Sequence, residues 1–215
     1  MAETYKYRLN IIGCGPGGSD YLTPVASTAA ENAGSVFGAR RLLELFPDIS
    51  AETIPVTGPL EGILETIQER ATAGRRVAVL VTGDPGIHSL ARSVVDRVGR
   101  HNCRIIPGIS SLQVAFAAVG CSWENVRVVS AHHQEPAIEP DNLSHHDRIA
   151  VLLGADTAVE WTARAADVLR SHRCFLCEHL TLPEERVREV DGTSLRDLHP
   201  AGRSVVLFVN REILT

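Results

Sequence analysis

Arg76-Val77-Ala78-Val79-Leu80-Val81-Thr82-Gly83-Asp84-Pro85-Gly86 sets five consecutive aliphatic residues between a charge and a turn. A short, uninterrupted apolar run is the pattern of a strand buried on both faces, as at the centre of a parallel sheet. The strand then stops abruptly. Gly83 and Gly86 permit backbone geometries that a β-carbon would block, while Pro85 fixes its own φ and holds Asp84 out of the α region. In an open parallel sheet, ligands bind outside the carboxyl ends of the strands, so this stiff loop stands where a site is expected. By itself it is equally a strand-to-helix turn with no ligand.

Upstream, Tyr7 to Ile12 reads as a first strand running into Gly13-Cys14-Gly15-Pro16-Gly17-Gly18, which satisfies G-x-G-x-x-G. Two details oppose a dinucleotide site. Pro16 has no N–H to offer a pyrophosphate, and the next helix starts later, with Thr23 as N-cap and Pro24 at its first position. The second strand, Ser35 to Phe37, ends at Gly38-Ala39-Arg40, where a ribose-binding acid should stand. That absence also counts against the commonest Rossmann-like methyltransferases, and no G-x-x-x-x-G-K-[ST] loop is present. A helix over Arg40 to Phe46, a strand over Glu52 to Val56 and a helix from Pro59 to about Ala73 lead into the central strand.

Downstream, Leu90, Val94, Val95 and Val98 mark a helix, Cys103 to Ile106 a strand, and Pro107-Gly108-Ile109-Ser110-Ser111 a second turn at a strand's end. An apolar helix, Leu112 to Val119, closes at Gly120. Repeated β-then-α order predicts a parallel α/β sheet for a first domain, residues 1–120. Beyond it the pattern changes. Strands are expected over Val126 to Val129, Arg148 to Leu153, Cys174 to Glu178, Glu185 to Val190 and Ser204 to Val209, with one helix carrying Trp161. A second α/β domain with a mixed sheet, residues 121–215, fits this order. The segment from Ala131 to Pro140 is polar and proline-punctuated, which predicts a mobile loop over a site.

Composition narrows the partners. The 215 residues are 44% hydrophobic and 22% charged, with a formal net charge of −5. This balance opposes nucleic acid or an anionic membrane as the main partner. No apolar run approaches the ~20 residues of a membrane span, and the N-terminus lacks a signal-peptide layout, so the expected compartment is the cytoplasm. Cys14, Cys103, Cys121, Cys174 and Cys177 form an odd set without a disulfide spacing. Cys174 and Cys177, flanked by His172 and His179, superficially form a metal half-site, but no second pair stands at a suitable spacing, and no metal is expected.

Taken in order, Gly13-Cys14-Gly15-Pro16-Gly17 with Leu22-Thr23-Pro24, then Gly83-Asp84-Pro85-Gly86, then Pro107-Gly108-Ile109-Ser110-Ser111 resemble the tetrapyrrole (corrin/porphyrin) methylase family. The stretches Val36 to Leu43 and Ser110 to Ala117 are most similar to its branch that methylates C5 of a precorrin or cobalt-precorrin ring in cobalamin biosynthesis. The resemblance covers essentially the whole chain and is strongest up to about Ser130. It implies two α/β domains with S-adenosylmethionine in the cleft between them, usually in a homodimer. Gly83, Asp84 and Pro85 would hold the methionine end of the cofactor, with Ile87 beside it. Ser110 and Ser111 would add backbone and hydroxyl contacts, and Leu152 and Leu153 would flank the adenosine. Gly13, Gly15 and Pro16 would line the floor of the tetrapyrrole site, which accounts for the proline that is wrong for a dinucleotide. Methyl transfer from a sulfonium requires chiefly alignment and exclusion of water, and no metal. His132 and His88 are the imidazoles available as a base, with His132 favoured.

The chain departs from that branch at one place. Ser130-Ala131-His132-His133-Gln134 stands where Ser-x-His-Gly-Arg is expected. Gln134 cannot supply the charge of a guanidinium to a poly-carboxylate ring; Arg40, Arg41 and Arg92 are the cations available to compensate, Arg40 foremost, although all three read more readily as solvated helix faces. The alternatives are another ring position or uroporphyrinogen, the modified histidine methylated by diphthine synthases, a dinucleotide oxidoreductase, and a non-catalytic binding module. A separate polypeptide is expected for methylation at C15 with decarboxylation.

Overall fold

The computed structural model describes residues 8–132, 134–154, 157–197 and 204–214. Tyr7 and His133, both used in the sequence reading, lie outside that description. The chain forms two compact units, Met1–Ser110 and Ser111–Thr215.

In the first unit, β1 (Leu9–Gly13), β2 (Ser35–Gly38), β3 (Glu52–Pro55), β4 (Val77–Val81) and β5 (Cys103–Ile106) form a sheet in the order β3-β2-β4-β1-β5. All four pairings are parallel. The aliphatic run is the middle strand, and its side chains alternate between two apolar layers as a strand's period of two requires. Val77, Val79 and Val81 face α3 (Leu60–Thr72) and α4 (Ala91–Val98), packing with Leu64, Ile67 and Val94. Ala78 and Leu80 face α1 (Pro24–Glu31) and α2 (Arg40–Leu43), packing with Ala26, Ala30 and Leu42. Full burial of each such aliphatic side chain is worth roughly 1.5–3 kcal/mol over leaving it in water. α1 begins as its sequence requires: the Thr23 hydroxyl accepts from the Ala26 amide at 3.3 Å and Pro24 occupies the first helical position.

This layering positions the site. The chain leaves β1 for the α1 face but leaves its neighbour β4 for the α4 face. Adjacent parallel strands whose connections part to opposite sides open a crevice beyond their carboxyl ends.

In the second unit, β6 (Arg127–Ala131), β7 (Arg148–Leu153), β8 (His172–Glu178), β9 (Arg186–Glu189) and β10 (Ser204–Asn210) run in the order β6-β7-β10-β8-β9. Only β6 and β7 pair in parallel; the other three pairings are antiparallel. α6 (Thr157–Val168) covers one face, with Trp161, Ala165 and Leu169 packed on Ile149, Val151, Leu153, Val206 and Phe208. α5 (Ser111–Ala118) makes contacts with β10, and the division between the units falls before this helix rather than after it. α7 (Gly192–Arg196), absent from the sequence reading, is started by Asp191, whose carboxylate accepts from the Ser194 amide at 2.7 Å.

Among the described residues no helix is long and apolar enough to cross a membrane. All five cysteines are free, and only Cys121 among them is not buried.

Candidate active site

Three glycine-bearing turns meet where β4, β1 and β5 end. A β-carbon on Gly13 would stand 2.5 Å from the Gly108 nitrogen and 2.7 Å from the Gly83 oxygen, while one on Gly108 would collide with that same oxygen. No L side chain fits at either place. The turns are also laced together by main chain: Gly15 and Gly83 form an antiparallel bridge, with the Gly83 amide donating to the Gly15 carbonyl at 2.7 Å. Both residues of that bridge have positive φ, +75° and +64°, the region in which glycine carries no β-carbon penalty. Pro16 is buried next to the bridge. Gly13 therefore owes its identity to the packing of one turn on another, and Gly15 to its positive φ and to the Tyr21 carbonyl oxygen 2.7 Å from its β-carbon position; the sequence displays neither reason.

Asp84 is the brace of this junction. Its Oδ1 accepts from the Gly86 amide at 2.7 Å, closing its own turn, and its Oδ2 accepts from the Gly108 amide at 3.1 Å, tying the β4 turn to the β5 turn. The Ile87 amide donates to the Asp84 carbonyl at 3.3 Å. The Ser89 hydroxyl donates to the Pro85 carbonyl at 2.6 Å and accepts from the Ala91 amide at 3.2 Å, which fixes the entry to α4. His88 sits in this turn with φ +43° and is exposed. Sequence reading gives Asp84 the role of a ligand contact. The coordinates add a structural role, since both oxygens hold backbone amides.

The arginines separate cleanly. Arg40 is exposed at the start of α2, and the Arg92 side chain is 92% exposed beside Asp96. Arg41 is half-buried and donates through Nη2 to the Thr82 hydroxyl, one residue before Gly83. Its charge also reaches Cys14. Burial pushes the Cys14 thiol up to about 12, against the opposing pull of the Val81 backbone hydrogen bond and the Arg41 charge. The thiol is neutral at physiological pH and is no nucleophile.

Ser110 is buried and ends the first unit, and Ser111 opens α5 in the second. Leu152 and Leu153 are the last residues of β7, and the Leu153 side chain lies in the core under α6, leaving only its main chain for a ligand. His132 is half-buried just past β6 and packs on Gly154, just past β7. Several contacts tie residues 134–140 to the rest of the second unit. The Trp161 indole donates to the Ile138 carbonyl at 2.9 Å, Arg164 pairs with Glu135, and Pro140 is buried. Among the described residues, no three His, Cys, Asp or Glu side chains converge to hold a metal, and Cys174 and Cys177 are separately buried in β8.

Residues 8–196 match the family model of the Tetrapyrrole (Corrin/Porphyrin) Methylases. The chain belongs to that family. Within the methylases it is 29% identical over 185 residues to the cobalt-precorrin-7 C(5)-methyltransferase of Salmonella typhimurium, covering 83% of this chain and 88% of the relative. It is 37% identical over 128 residues to the probable cobalt-precorrin-7 C(5)-methyltransferase of Methanocaldococcus jannaschii, covering 58% and 60% respectively. The crystal structure of the precorrin-6Y methylase (cbiE) from Archaeoglobus fulgidus superposes with a TM-score of 0.75 at 25% identity, covering 95% of this chain and 99% of that one.

Proposed function

We propose that this methylase transfers a methyl group from S-adenosylmethionine to C5 of a precorrin or cobalt-precorrin ring in cobalamin biosynthesis. The observation that carries the reading is the match to a C5-specific enzyme over 88% of that enzyme's length. The glycine-built turns at the carboxyl edge of β4, β1 and β5 support a donor site there, since such turns let a ligand approach main chain without intervening side chains. Gly83, Asp84 and Pro85 would hold the methionine end there, with Ile87 and Ser110 beside it. When bound, the donor supplies a methyl already activated on a sulfonium, and holding two reactants in line is worth up to roughly 7–11 kcal/mol of the barrier. The chain's own part is to keep that edge rigid, which the Asp84 brace and the Gly15–Gly83 bridge do. In such a transfer the ring would supply the electron pair of the new C–C bond and the donor's sulfur would keep that of the C–S bond, leaving the methylated ring one proton to shed. His132 is the residue proposed to accept it. Arg41, already anchored at the carboxyl end of β4, replaces Arg40 as the proposed partner for a ring carboxylate.

Because the matched relative is named for C5 alone, C15 methylation and decarboxylation fall to a separate polypeptide. Five free, mostly buried thiols favour a reducing, cytoplasmic setting. A homodimer would draw on exposed apolar side chains such as Ile105 on the edge strand β5, which sedimentation of the purified chain tests. For the cofactor, calorimetric titration with S-adenosylmethionine, S-adenosylhomocysteine and NADH is decisive. Micromolar binding of the first two with none of the third is expected; binding of NADH alone would return the glycine motif to a dinucleotide site.

A further inference from the structure

We infer that Gly154 is a positioning residue for His132, its missing side chain being the seat on which the imidazole rests. The inference depends on the reading of His132 as proton acceptor and adds what sets its orientation. β6 and β7 run in parallel with Ala131 opposite Leu153, and the Gly154 amide donates to the Ala131 carbonyl at 3.3 Å. The next level of the same register therefore sets His132 beside Gly154. Side chains at one level of a parallel pair project to the same side, on strands roughly 4.8 Å apart, so any side chain at 154 would stand against the ring. A β-carbon built there lies 2.5 Å from His132 Nδ1 and 3.0 Å from both its Cα and its carbonyl oxygen. The imidazole occupies that volume, with Nδ1 turned onto the glycine. Alanine at 154 would displace the ring, whose Nδ1 is the nearest of the three atoms, and turn its nitrogens elsewhere; the His132 Cα and carbonyl oxygen at 3.0 Å add a smaller main-chain demand for the glycine. Val151, Leu152 and Leu153 precede it in the sheet, all buried.

The test is a double-mutant cycle read on methyl transfer, with ring placement followed separately by NMR. His132→Ala is expected to lower kcat about 100-fold, the low end of what a positioned proton-transfer group contributes, with S-adenosylhomocysteine affinity unchanged. Gly154→Ala is expected to lower kcat about 10-fold or more in the parent and by less than about 2-fold in the His132→Ala background, since the two act as a unit. Equal losses in both backgrounds would make Gly154 a backbone requirement only and overturn the inference. An unchanged rate in His132→Ala would instead remove the reading of His132 while leaving the seat itself to be judged by NMR. In the unmutated protein the Gly154 Hα resonances should be displaced by the imidazole ring current and should relax toward ordinary values in His132→Ala. Undisplaced Gly154 resonances would sink the inference even if Gly154→Ala failed to fold.

Discussion

At the scale of single residues, the junction of Gly13, Gly83 and Gly108 makes sharp demands. Gly13→Ala forces a methyl group to within 2.5 Å of backbone that cannot step aside, and we expect a loss of about 1–3 kcal/mol with a lower Tm. Gly62→Ala is the contrast. It lies in α3 with nothing within 4 Å of its β-carbon position, so it should raise stability by roughly 0.5–1 kcal/mol. Thermal unfolding of the two variants should move in opposite directions. Asp84→Asn places an amide NH2 against one of two backbone donors, Gly86 or Gly108. Each such hydrogen bond to a charged group is worth about 1.5–3 kcal/mol, so cofactor affinity should fall by ~10-fold or more in calorimetry. Unchanged affinity would confine Asp84 to the fold. The glycines and Asp84 are legible in the sequence as turns at strand ends. What was not legible is that they contact one another, because a contact between residues 13, 83 and 108 exists only once three strands stand side by side. For the same reason the sequence puts Arg40 ahead of Arg41, whereas α2 turns Arg40 outward and Arg41 toward Thr82.

At the scale of elements, hydrophobic period and turn chemistry carried most of the reading. The strand over Arg148–Leu153 falls where the apolar run predicts, and α3 lies within the predicted helix. α7 escaped because five residues starting with glycine give no helical period; only the Asp191 cap announces it. The anchors of the segment after His132, Trp161 and Arg164, are not visible in its own polar, proline-punctuated sequence because they lie a strand away on α6. Those anchors give a prediction. Trp161→Phe keeps the ring in the core but leaves the Ile138 carbonyl without its indole donor, a net cost of about 1 kcal/mol. Limited proteolysis should cut residues 134–140 faster in the variant; equal rates would show that the bond does not hold the segment.

At the scale of the whole molecule, the shifted groups that titrate below neutral pH share one sign. The Arg173 guanidinium holds Glu189 below the usual carboxylate range, Arg70 does the same for Glu52, and the Ser194 backbone amide does so for Asp191. Burial, with the charges of His145 and Arg127, lowers His146. A depressed folded pKa gives stability that is present above the unfolded value and is lost as pH falls through the folded one. Stability should therefore begin to decline as pH drops below about 6.5 through His146 and fall further below about 4.5 through the carboxylates. The Glu52 and Glu189 side chains are about half exposed, so solvent screening keeps their shares small. Urea midpoints measured across this range check the sign, and His146→Gln should flatten the upper part of the decline. The measurement that bears most directly on the central claim is a turnover with S-adenosylmethionine carrying a 13C-labelled methyl group, offered cobalt-precorrin-7 and analysed by NMR. The account predicts one labelled methyl per ring, attached at C5, with S-adenosylhomocysteine released in equal amount. A label at another ring carbon, or no transfer by a chain that binds S-adenosylmethionine, would contradict it.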